Sequence, residues 1–174
     1  MRKLTLVFTK SKKFLPLFSW GIMFYTGKKY SHCAREFEAH EEIIYYQASE
    51  GRVNYENKKV FDEKHEIVER YEIIIQEEYY NKISKACLHD AGVVYGLKQN
   101  VGIFYVDIMK LFGKKVQNPW KKGKNCSELI FENALLEMFP ELSKTHDKET
   151  IKPHHVERII LDKFKKDGEI WVAK

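Results

Sequence analysis

A cysteine attacks an acyl carbon only as thiolate, and one cysteine of this chain stands where ionisation is favoured. It lies in Asn125-Cys126-Ser127-Glu128, directly before the apolar run Leu129-Ile130-Phe131. Asn125 is a good helix N-cap and Glu128 follows at capping-box spacing, so Cys126 falls in the first turn of a helix, where partial positive charge stabilises thiolate. A base for that thiol is available upstream: His32, in Tyr30-Ser31-His32-Cys33-Ala34, after a turn at Thr26-Gly27-Lys28-Lys29. Thiolate and imidazolium stabilise each other, so such a pair can hold both groups charged near neutrality. Taken singly, each residue suits a structural role equally well, a small buried thiol or a surface imidazole. Between Asp107 and Glu128 lie Lys110, Lys114, Lys115, Lys121, Lys122 and Lys124 with no acid among them. That run adds positive potential ahead of Cys126, although a solvated lysine loop is its commoner meaning.

The elements that must carry these residues follow from periodicity. Leu4 to Phe8 is β-rich, and Phe14 to Tyr25 reads as a buried helix with Pro16 in its first turn. His32 to Phe37, Ile43 to Ala48, Val53 after the turn Ser49-Glu50-Gly51-Arg52, Val60-Phe61 and Ile67 to Ile75 read as strands of a small antiparallel sheet. Gln76 to Leu97 turns helical, with Tyr80, Ile83, Cys87, Ala91 and Val94 on one stripe, and Val101 to Phe112 forms another helix ending at Gly113. Cys126 to Phe139 is apolar almost all round, which predicts a central helix packed on the sheet and stopped by Pro140. A last helix runs from Pro153 to about Lys165, and Ile170-Trp171-Val172 forms a strand. Strands first and helices later give an α+β domain spanning 1–174.

Composition sets outer bounds. The chain of 174 residues is 44% hydrophobic, enough for one core, and its net charge of +5 is mixed rather than blocked. Three cysteines, Cys33, Cys87 and Cys126, fit neither a disulfide framework nor a paired Cys-x-x-Cys metal site, which favours a reducing compartment. The apolar stretch from Phe14 to Tyr25 is about a dozen residues, too short to span a bilayer, and no signal-peptide pattern is present. The expectation is a cytoplasmic protein without a transmembrane segment.

Three segments in order carry a family likeness: Tyr30-Ser31-His32 after the Thr26-Gly27 turn, Tyr45-Tyr46-Gln47-Ala48 followed by Gly51-Arg52-Val53, and Asn125-Cys126-Ser127-Glu128-Leu129. Together they resemble the circularly permuted papain-like cysteine hydrolases, the permuted branch of the NlpC-like superfamily that includes the YiiX-type amidohydrolases and, more distantly, the lecithin–retinol acyltransferase-like enzymes. The likeness runs from about Leu4 to Leu161 and includes the segment led by Pro153. It implies a permuted papain-like fold with Cys126 as nucleophile, His32 as base and Gln47 as the group orienting the imidazole. A glutamine oxygen can accept the ring N–H but brings no negative charge. Glu50 is the alternative orienter, and by strand alternation Cys33 points to the opposite face, into packing.

The implied chemistry is a thiol-dependent hydrolase or acyltransferase, a peptidase or amidase in class. It forms a thioester after attack on an amide or ester, with backbone N–H groups at the Cys126 helix start, and Ser127 as a further donor, facing the oxyanion. No cofactor is implied. Peptide, cell-wall fragment, lipid and protein amide or ester all remain open as substrates, as does an anionic partner held through Lys121, Lys122 and Lys124. An inactive binding or host-interaction module on the same fold is the alternative. Zinc is a poorer reading: His32, Cys33, His40, Cys87, His89, Cys126, His154 and His155 are numerous but badly spaced. Specific nucleic-acid binding lacks any base-reading motif, despite Phe112 and Trp120 among the lysines.

Overall fold

A computed structural model describes residues 1–12, 17–39, 41–49, 51–120 and 123–174, with backbone alone at 17–20, 25, 39 and 97–100. Phe14, Pro16, His40, Glu50, Lys121 and Lys122 lie outside the described residues. The framework is one mixed α/β sheet of seven strands in the order β4-β3-β2-β1-β5-β7-β6. These are β1 (Arg2–Ser11), β2 (His32–Ala39), β3 (Glu42–Ser49), β4 (Arg52–Asn57), β5 (His65–Ile75), β6 (Phe164–Asp167) and β7 (Ile170–Ala173). All pairings are antiparallel except β5 with β7, so the sheet is larger than the small antiparallel one expected, and its far edge comes from the C-terminal end of the chain.

Burial explains why β1 is central. Leu4, Leu6 and Phe8 point into the main core while Val7 faces a second, smaller one, so the strand is covered on both sides. The main core is closed by α3 (Glu77–His89), by α5 (Cys126–Ile130) with the π turn Phe131–Leu135 and α6 (Leu136–Met138), and by α7 (Pro153–Lys163). The smaller core lies under α2 (Lys58–Lys64), where Phe61 stacks on Tyr45 with ring centroids 3.8 Å apart. Two further helices, α1 (Leu17–Thr26) and α4 (Leu97–Leu111), lie beside the start of α5.

Four elements depart from the sequence reading. Val60-Phe61 is helical rather than extended, because Asn57 caps α2 by accepting a hydrogen bond from the Val60 N–H at 3.0 Å. The helix begun at Glu77 ends at His89 instead of reaching Leu97. Its chain turns at Gly92 (φ +88°), and residues 92–95 then hydrogen-bond back to Gly51 and Val53 at the start of β4. The helix after Cys126 is interrupted by the π turn, whose Asn133 donates to Asp90 Oδ2 and to the Tyr46 hydroxyl. Lastly, α7 stops at Lys163, and Phe164 turns its ring into the core as the first residue of an unanticipated strand.

Candidate active site

Cys126 is set by its cap. The Asn125 side chain accepts from the Glu128 N–H at 2.8 Å, leaving the first-turn N–H groups of Cys126 and Ser127 without partners inside the helix. The loop feeding this turn is pressed close. Lys124 bridges Tyr95, and at Gly123 (φ +92°) a Cβ would come within 2.5 Å of the Val94 carbonyl oxygen, so only glycine fits. Lys124 itself is committed internally, to Asp90 at 2.6 Å and to Glu132 at 2.8 Å. It therefore holds the loop to α3 and the π turn instead of offering a free charge to an anionic partner.

His32 begins β2, opposite Thr9 of β1. Alternation places it on the face of the smaller core, where its ring stacks on His65 at 5.0 Å. The β2–β3 register pairs Arg35 with Tyr46, which sets Gln47 diagonally across from His32 on the same face. The two meet: His32 Nε2 donates to Gln47 Oε1 at 2.8 Å. Gln47 is fully buried and its amide nitrogen donates in turn to Glu56 Oε2 at 2.8 Å, while Lys64 Nζ donates to Glu56 Oε1 at 2.6 Å.

That chain fixes a tautomer. An ionised carboxylate only accepts, so Glu56 takes the amide N–H of Gln47 and turns Oε1 towards His32. The ring must then carry hydrogen on Nε2, which leaves Nδ1 for the thiol. Glu56 thus supplies the negative charge that Gln47 lacks, two bonds removed from the imidazole. No sequence motif marks Glu56. Its signal was the β3–β4 register, which pairs Tyr45 with Glu56 and brings Gln47 within reach.

Although Cys126 lies on the helix covering the opposite face, it comes near His32 at the open end of β2, close enough for thiolate and imidazolium to favour each other's charge. Cys33 does face away from His32 into the main core, as alternation requires. That is the face on which Cys126 lies, so the Cys33 thiol and backbone N–H both meet the Cys126 sulfur. The sequence reading gave Cys33 packing alone, and the structure adds this contact. Ser127 Oγ lies 3.9 Å from the same sulfur.

The electrostatic outcome is an asymmetric pair. The hydrogen bond from Cys33 is the largest influence holding the Cys126 thiol well below its ordinary range. Burial opposes it, and the charge and hydrogen bond of His32 reinforce it. Burial also disfavours the His32 imidazolium, but the Cys126 thiolate, Gln47 and Glu56 outweigh it and raise the ring above its usual value. Burial keeps the Cys33 thiol protonated, so it serves as donor.

The sulfur opens onto a cavity of about 410 Å³ bounded by α1, α4, the start of α5 and the segment Ile151-Lys152-Pro153. Ile22, Tyr95, Val101, Ile103 and Phe104 are among its walls. Its charged residues, Asp107 and Lys152, pair with each other at 2.5 Å. Among the described residues, no group of three or more His, Cys, Asp or Glu side chains could hold a metal ion. Comparison of the chain with protein families, with curated proteins and with solved structures yields no match.

Proposed function

We propose that this protein is a thiol-dependent hydrolase or acyltransferase of the permuted papain-like kind, acting on an amide or ester with Cys126 as nucleophile and His32 as acid and base. The observation that carries the reading is the run Cys126–His32–Gln47–Glu56, whose Cys126 end lines a substrate-sized cavity. In the first step the Cys126 sulfur forms a bond to the acyl carbon and the carbonyl π pair moves to oxygen. The first-turn N–H groups of Cys126 and Ser127 face the developing oxyanion. Collapse re-forms C=O and breaks the bond to the leaving amine or alcohol, which takes its proton from the His32 imidazolium. Water or another acceptor then attacks the thioester, gives a proton to His32, and releases the acyl product with the thiolate restored. Gln47 and Glu56 are positioning residues that hold the ring through both steps.

The test is acyl trapping. Incubation with a panel of acyl amides and acyl esters, read by intact mass, should give an adduct on the parent protein, none on Cys126→Ala and a slowed one on His32→Ala. An adduct that survives in Cys126→Ala, or a parent that takes no acyl group while remaining folded, contradicts the proposal. The second of these results is what an inactive binding module on the same fold would give.

A further inference from the structure

Helix α4 is amphipathic in an unusual sense. Gly102, Ile103 and Val106 face inward, yet the opposite stripe, Val101, Phe104, Tyr105, Ile108 and Phe112, is also apolar and faces solvent. Leu111 and Phe112 at its end are 78% and 74% exposed, and Phe24 on α1 is 93% exposed. A stripe of this kind on a surface helix marks an interaction site. Val101 and Phe104 belong both to the exposed stripe and to the wall of the cavity that ends at Cys126. Exposed Lys110, Lys114 and Lys115 follow along the same segment, and none of them pairs with an acid among the described residues.

We infer that α1 and α4 dock on an anionic lipid bilayer and that the cavity receives one long acyl chain drawn from it, which names the substrate class of the thiol chemistry proposed above. Three observations choose lipid over a peptide. Among the described residues the charged side chains of the wall, Asp107 and Lys152, pair with each other, so neither is left to anchor a charged group of a peptide. At roughly the volume of a liquid water per methylene, ~30 Å³, the cavity of 410 Å³ takes on the order of a dozen methylenes. Its mouth is flanked by an outward apolar helix with lysines, the pattern of a helix lying in a headgroup plane. Among the described residues no helix is long and apolar enough to cross a membrane, so the contact is peripheral.

The docking test uses flotation with vesicles of phosphatidylcholine alone and of equimolar phosphatidylcholine and phosphatidylglycerol. The parent and Cys126→Ala should float equally with the anionic vesicles and weakly with the neutral ones. Replacing Lys110, Lys114 and Lys115 by Gln should weaken binding by roughly fivefold per lysine. Leu111→Glu with Phe112→Glu should abolish it. A parent that stays at the bottom, or a Glu variant that floats as the parent does, overturns the docking. So does a parent that sediments as a dimer broken by Leu111→Glu without binding vesicles. The cavity test compares acylation of Cys126 by acetyl, octanoyl and palmitoyl esters, with faster reaction for the longer chains expected. Val101→Trp, which narrows the cavity, should reverse that order. An acetyl preference in the parent overturns the acyl-chain reading. Failure of every ester with vesicle binding intact contradicts the thiol chemistry instead.

Discussion

At the scale of residues, Cys126 is activated from two sides: His32 supplies charge and Cys33 supplies a donor. Cys33→Ala should therefore raise the pH midpoint of Cys126 alkylation, whereas Cys33→Ser, which keeps a hydroxyl donor, should raise it less. Equal midpoints in parent and Cys33→Ala would remove Cys33 from the account. Glu56→Gln tests the buried relay. Gln47 could then rotate and present its NH₂ to the ring, and a neutral neighbour would no longer favour the imidazolium. Turnover should fall by about tenfold to a hundredfold, less than the ~10⁴-fold lost when a group bonded directly to such an imidazole is altered. The alkaline limb of the pH profile should move down as well. A fall in turnover with an unmoved limb would mark Glu56 as merely structural. Cys126, His32 and Gln47 were legible in the sequence because each carries a side-chain type and a local motif. Glu56 and the Cys33 contact were not, because they arise from strand register and from the face of the sheet on which α5 packs.

At the scale of elements, the strands were legible wherever alternation was clean, as in Ile67 to Ile75, and the helices wherever the apolar stripe was long. Short-range capping overrode pattern at Val60-Phe61, where Asn57 starts a helix. Tertiary hydrogen bonds overrode it beyond His89, where residues 92–95 join the start of β4. The π turn leaves no trace in periodicity, since it is stabilised by Asn133 meeting Asp90 and Tyr46, both far away in the chain. These same contacts fix the loop that delivers Cys126. Gly123→Ala forces a side chain into left-handed backbone against the Val94 carbonyl, and should cost about 1–3 kcal/mol in denaturant unfolding. The thiol midpoint should rise with it as the α5 start shifts. Unchanged stability would show that the loop is not held as tightly as its contacts imply.

At the scale of the whole molecule, stability should fall in two stages on acidification. Burial, followed by the charge of Lys152 for His154 and by the ring of His154 for His155, lowers both rings to about 4. Their folded values lie below the unfolded value of about 6.5, so the unfolded state binds protons first and stability is lost as pH falls from about 6.5 towards 4. Glu157 belongs to the second stage. Burial opposes its ionisation, but Lys28 and the hydroxyls of Tyr30 and Tyr71 hold it below its ordinary range, so its contribution is present above about pH 4.3 and lost below. The thermal midpoint of a His154→Gln, His155→Gln variant should be flatter than the parent's between pH 6.5 and 4.5, and should still fall below that range. Parallel curves for the two proteins throughout would contradict the assignment.

The most direct measurement of the central claim is the rate of iodoacetamide alkylation at Cys126 against pH, located by peptide mapping. The activated pair predicts a midpoint well below the ordinary thiol value of about 8.5 in the parent, and a rise towards that value in His32→Ala. A parent midpoint already near 8.5, or one that His32→Ala leaves in place, would contradict it.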